Sequence, residues 1–162
     1  MRAEARLLLA ALLALGVTAQ ARSEAEWKEQ EAPAPPALRL SGLIPLDMPS
    51  SGLRFGVDPA SVTVGDDAVV RYVVVATSGE GAVNALYEGL RCGTAEVRTY
   101  ARHDGKSGWV TVQGGQWQSL ANAMRHSRLI AYTAACDGKV PWRRAADVVR
   151  ELSSRRGPPP GS

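Results

Sequence analysis

VVRYVVVATSGEGAVNALYEGLRC, residues 69–92, reads as a β-hairpin that ends in a cysteine. Val69–Thr77 is dense in β-branched residues and apolar on both alternating faces apart from Arg71, which is the pattern of a central strand covered on both sides. Ser78-Gly79-Glu80-Gly81 is a short polar turn whose glycines tolerate positive φ. On the return strand, Ala82–Arg91, the two-residue period sets Asn84, Leu86, Glu88 and Leu90 on one face with Cys92. Val83, Ala85, Tyr87 and Arg91 fall on the other. A carboxylate among leucines has two readings: Glu88 pairs with an arginine or caps the strand's solvated end, or it is an acid–base group.

Working outward, Thr94–Arg102 alternates cleanly. Ala95, Val97, Thr99 and Ala101 are expected inward, and Glu96, Arg98, Tyr100 and Arg102 toward water or a ligand. HDGKSG (103–108) is a turn, and Trp109–Val112 is the next antiparallel strand. Arg128–Cys136 predicts a short helix stopped by Asp137-Gly138. Pro141–Leu152 predicts a second, with Pro141 at its entry and Ala145, Val148, Val149 and Leu152 on one face. Upstream, Ala37–Ile44 predicts a first strand, and Leu53–Val57 and Ser61–Val64 flank the Asp58-Pro59 turn. The fold class is α+β: a mostly antiparallel sheet followed by two C-terminal helices around one core.

The ends are simpler. Arg2 and Arg6, the apolar run Leu7–Val17 and Ala19-Gln20-Ala21 make residues 1–21 a secretory signal, with a run of about 11 residues against the roughly 20 that cross a bilayer. Residues 22–36 are an acidic, proline-rich extended lead-in, in which Trp27 is expected to dock onto the domain. Residues 37–154 form a single domain, and 155–162, ending GPPPGS, a disordered tail. The expected address is the periplasm, or else the outside of the cell. No segment of the mature chain is apolar enough to span a membrane.

The full chain carries 19 basic and 16 acidic residues, a net +3. Losing Arg2, Arg6 and Glu4 with the signal leaves +2, and the basic residues are interleaved with acids rather than gathered in a stripe. Nucleic acid is not the expected partner. The two cysteines, Cys92 and Cys136, face an oxidising compartment and are expected to pair, closing a loop of about 45 residues worth roughly 2–4 kcal/mol.

Catalytic patterns are scarce. There are two histidines, His103 in a turn and His126 in a polar stretch, both expected as exposed loop residues. No nucleophile elbow, phosphate loop or metal-ligand spacing occurs, so neither cofactor nor metal is expected. What remains is a polar and aromatic group on the strands: Arg71, Tyr72, Tyr87, Glu88, Arg91, Arg98 and Tyr100. Guanidinium forks and tyrosine rings are what recognition surfaces use, although cross-strand Glu–Arg pairing gives the same composition.

Phe55-Gly56-Val57-Asp58, Val69-Val70-Arg71-Tyr72, Tyr87-Glu88-Gly89-Leu90-Arg91-Cys92, Tyr100-Ala101, Trp109, Trp117 and Cys136 together resemble the CNP-one-like family of exported Gram-negative bacterial proteins, over about Trp27 to Leu152. The resemblance implies one periplasmic domain and carries over no catalytic residue. Asp67-Ala68 stands where it implies Asp-Gly.

Three functions are compatible with this reading. The first is a non-enzymatic module that binds an envelope protein or glycan through a sheet face bearing Arg71, Tyr87, Glu88, Arg91, Arg98 and Tyr100. The second is a hydrolase using Glu88 with Arg91, and the third a docking patch of Trp27, Trp109, Trp117 and Trp142.

Overall fold

The structure, a computed structural model, describes residues 27–49 and 51–154, so the secretory signal, residues 22–26 of the lead-in and the whole tail 155–162 lie outside the described residues. β4 (Val69–Ser78) and β5 (Val83–Arg91) form the expected hairpin, in register from Val69 opposite Arg91 to Thr77 opposite Val83. Seven consecutive residues of β4, Val69–Val75, are buried, as an apolar strand covered on both faces requires.

The antiparallel sheet grows from this hairpin in the order β1-β2-β4-β5-β6-β7, with β1 (Ile44–Leu46), β2 (Leu53–Val57), β6 (Glu96–His103) and β7 (Trp109–Thr111). β3 (Thr63–Val64) continues along β4 beyond β2, and β8 (Gln118–Ser119) pairs with β6. Between β2 and β3 the chain makes a 3-10 turn, Pro59–Ser61, capped by the Asp58 carboxylate. Ser61 fills the gap this leaves in the ladder: its hydroxyl accepts from Val73 N at 2.8 Å and donates to Asp58 O at 2.6 Å.

One face of the sheet packs on the helices, with Val70, Tyr72, Val74 and Leu90 meeting Ile130, Ala134, Val148 and Leu152. The other is covered by the irregular arm of residues 27–43, which sets Leu38 and Leu43 against Val73, Val75, Ala85, Tyr87 and Ala101. The fold is therefore α+β with two C-terminal helices, and Cys92–Cys136 is a disulfide.

Four local expectations need correction. The first strand is not Ala37–Ile44 but Ile44–Leu46, residues 37–43 belonging to the irregular arm. The first helix is α1 (Arg125–Ile130), prolonged as a π-turn through Ala131–Ala135, so it begins before Arg128 and takes in His126. Cys136 is already extended. Pro141 does not start the second helix. Val140–Pro141 (β10) folds back on Cys136–Asp137 (β9) across the turn at Gly138, where φ is 61°, and α2 runs Ala145–Ser154. Finally, the alternation along β6 breaks at a bulge. Thr99 faces Glu88 and Ala101 faces Tyr87, so Tyr100 is the extra residue and lies on the arm side with Ala101.

Candidate functional site

The strand residues expected to form one recognition face divide between the two sides of the sheet. Arg71, Tyr87, Arg91, Arg98 and Tyr100 share the arm side. Glu88 points to the helix side, opposite Tyr72. The period of two puts Glu88 and Arg91 on opposite faces of β5, so they do not form the acid and charge stabiliser of one hydrolytic site.

The arm side is largely covered by the arm and holds the chain's own Glu29, with a cavity of about 270 Å³ left between Ala32–Pro35 and Tyr87, Arg98 and Tyr100. Arg98 Nη1 lies 2.6 Å from Glu29 Oε2, Trp117 Nε1 donates to the same oxygen at 3.0 Å, and the Tyr100 hydroxyl donates to Oε1 at 2.7 Å. Gly89 leaves the room this needs. A Cβ there would lie 2.5 Å from the Tyr100 hydroxyl and 2.9 Å from Val69 Cγ1. Burial, then the bond to Glu29, pushes the Tyr100 phenol well up, so it stays a donor.

Next to it, Arg71 grips Asp67 through Nη2–Oδ2 at 2.6 Å and Nη1–Oδ1 at 3.2 Å, both side chains buried. Asp67 ties down the arm directly: its carboxylate accepts from Gln30 N at 3.0 Å and its carbonyl from Trp27 Nε1 at 2.8 Å. The Trp27 ring lies under the Arg91 guanidinium, 3.5 Å from ring centroid to Cζ, and edge-on to Trp117. Trp27 thus docks on the domain as its sequence context predicts. Arg71 Nε and Arg98 Nε are buried without a hydrogen-bond partner among the described residues, and both guanidinium groups lie against the Tyr100 ring.

On the helix side, Glu88 is the hub of a buried polar quartet. Tyr72 Oη donates to Oε2 at 2.8 Å, Ser127 Oγ donates to Oε2 at 3.1 Å, and His126 Nε2 lies 3.2 Å from Oε1. All four residues are at most 2% exposed. Burial and the neighbouring carboxylate raise the Tyr72 phenol far above its ordinary range, so it stays protonated as a donor. His126, expected in an exposed loop, is therefore a core residue: α1 starts three residues earlier than its composition indicates and turns the imidazole inward. The signal for the quartet was present. A hairpin turning about Glu80 puts residues 72 and 88, each eight away, opposite one another.

Beside the quartet lies the largest departure from expectation, a groove on the helix side that the helices leave uncovered. Leu53, Phe55, Val74, Ala76, Asn84, Leu86 and Arg102, from four neighbouring strands, make its floor; Met124 and His126 make its wall. Its volume is about 280 Å³, and His126 stacks on Phe55 with centroids 5.4 Å apart. Among the described residues no helix is long and apolar enough to cross a membrane.

No curated protein and no solved structure matches this chain. The model of the CNP1-like family matches residues 22–153, a span that holds the arm, both faces of the sheet, the quartet and the disulfide. The chain belongs to the CNP1-like family.

Proposed function

We propose that this is an exported, periplasmic protein that acts by binding a component of the cell envelope rather than by catalysis, and that the groove on the helix side of the sheet is where it binds. The leader of residues 1–21 and a single disulfide between the two cysteines support the address.

One observation carries the choice of surface. The arm side is covered by residues 27–43 of the same chain, with a cavity of about 270 Å³ left between Ala32–Pro35 and Tyr87, Arg98 and Tyr100, whereas the outer half of the helix side presents apolar side chains of three strands to solvent, with Arg102 of a fourth and a hydrogen-bonded imidazole at the edge. Concave, mostly apolar sites with a few fixed polar groups are what ligands select. Glu88 is an unsuitable acid or base, since both its oxygens are taken by protein donors and it is closed to solvent.

The test uses three forms of the exported chain: wild type, Ala76→Phe to fill the groove, and Arg98→Ala to disturb the arm side. Each is immobilised and offered a solubilised envelope extract, and bound material is identified by mass spectrometry. A component held by wild type and Arg98→Ala but lost from Ala76→Phe is the expected outcome. The reverse pattern, loss from Arg98→Ala alone, moves the binding surface to the Arg/Tyr side and overturns this reading.

A further inference from the structure

The lining of the groove goes beyond its location, because it is chemically one-sided. Leu53 is 42% exposed and Met124 56% exposed, and with Phe55, Ala76 and Leu86 they form an apolar bed. Unburied apolar area of this kind is a cost that a folded chain retains where something covers it. At the β6 edge of the bed stands Arg102, opposite Leu86 in the register. It is exposed, and among the described residues it has no ion-pair partner, unlike Arg71, Arg91, Arg98, Arg144 and Arg150. No aspartate or glutamate lines the groove. Glu88, on the same face of the sheet, is occupied by Tyr72, Ser127 and His126.

Resting on the reading that the groove is the binding surface, we propose that its ligand is a small amphiphilic anion: an apolar chain or ring lying along Leu53, Phe55, Leu86 and Met124, with a carboxylate paired to Arg102. Charge complementarity selects the head, since a guanidinium beside an apolar bed with no competing acid favours an anion and disfavours a cation. The size of the groove selects a small molecule, because about 280 Å³ is near the lower end for small-molecule sites. The quartet has a role here too. One bond to Glu88, a carboxylate itself held by Tyr72 and Ser127, and the stack on Phe55 fix the His126 ring, so the wall is formed before the ligand arrives.

The experiment is calorimetric titration of the exported chain with two probes, decanoate and decyltrimethylammonium, which share a tail and differ in the sign of the head. Wild type, Arg102→Glu and Ala76→Phe are compared. The expected result is that decanoate binds wild type, that Arg102→Glu weakens it at least about tenfold without weakening the cation, and that Ala76→Phe abolishes decanoate binding. Equal binding of both probes with no effect of Arg102→Glu, while Ala76→Phe still blocks them, overturns the anion and leaves the groove as the binding surface. Decanoate binding untouched by Ala76→Phe, or no binding of either probe to a wild-type chain that is folded by circular dichroism, overturns the amphiphile. If the capture experiment has also shown no loss from Ala76→Phe, the groove reading falls with it.

Discussion

The carboxylate of Glu29 is bound by Arg98 at 2.6 Å across 69 residues of chain, and this one contact converts a sheet face with the composition of a recognition surface into the seat of the protein's own arm. Tyr100 and Trp117 close on the same carboxylate. Glu29→Ala leaves all three donors without their acceptor. The arm is then expected to open far more often, and trypsin should cut at Lys28 and Arg39 about tenfold faster, the change that about 1.4 kcal/mol of local stability produces. Cleavage rates followed by mass spectrometry check this; unchanged rates would mean that Trp27 and Asp67 hold the arm alone.

Asp67 makes the same arm sensitive to acid. Burial alone would raise its carboxyl, but the bonds from Arg71, Gln30 and Val69 outweigh burial and hold it below its ordinary 3.8. A depressed pKa gives stability that is complete above the unfolded value and lost as pH falls through the folded one. The urea midpoint of the wild type should therefore drop on going below about pH 4, and Asp67→Asn should flatten part of that drop. At neutral pH the substitution leaves Arg71 buried beside a neutral amide, and we expect a loss of about 3–5 kcal/mol.

The quartet predicts an ordered pair of variants. Glu88→Ala strips Tyr72, Ser127 and His126 of their common acceptor and should cost on the order of 3 kcal/mol or more, since buried donors left unmade are the expensive case. Glu88→Gln keeps one acceptor oxygen in the same volume and should lose roughly 1–2 kcal/mol. Urea unfolding gives both numbers. Equal losses would show that losing the carboxylate, which both variants share, dominates and that the cavity left by Glu88→Ala adds little.

Ala68 offers a gain. Its φ is 62°, in the left-handed region that costs a residue with a Cβ roughly 1–2 kcal/mol, and it stands where the family resemblance implies glycine. Ala68→Gly is expected to stabilise the chain by about 0.5–1 kcal/mol, part of the relief being offset by the freer unfolded backbone. A fall in the urea midpoint would contradict that.

Much of this architecture was legible in residues 69–92, because a period of two together with a polar four-residue turn leaves little freedom. Strand, return and faces followed from them, and the pairing of Cys92 with Cys136 followed from the chain having two cysteines and an exported sequence. What escaped were features set by distant chain. Nothing local marks Tyr100 as a bulge, since the extra residue is decided by how β6 meets β5. His126 lies in a stretch that is polar in sequence yet is drawn inward by Glu88, 38 residues earlier. The six strand residues singled out for binding were recognised by chemistry alone. Chemistry could not tell that five of them face an acidic arm of the same molecule, or that Glu88 faces away.

The arm also dictates an order of events. Its anchors, at Asp67, Arg98, Tyr100 and Trp117, lie 37 to 88 residues further along the chain. Contacts at such separation close only after the intervening hairpins have formed, because loop closure must be met before they reward it. The first part of the described chain is thus expected to be the last to settle. Until it does, the sheet shows Arg71, Tyr87, Arg98 and Tyr100 to whatever assists its folding, and the completed molecule buries Arg71 and Tyr87 and half-buries Arg98 and Tyr100.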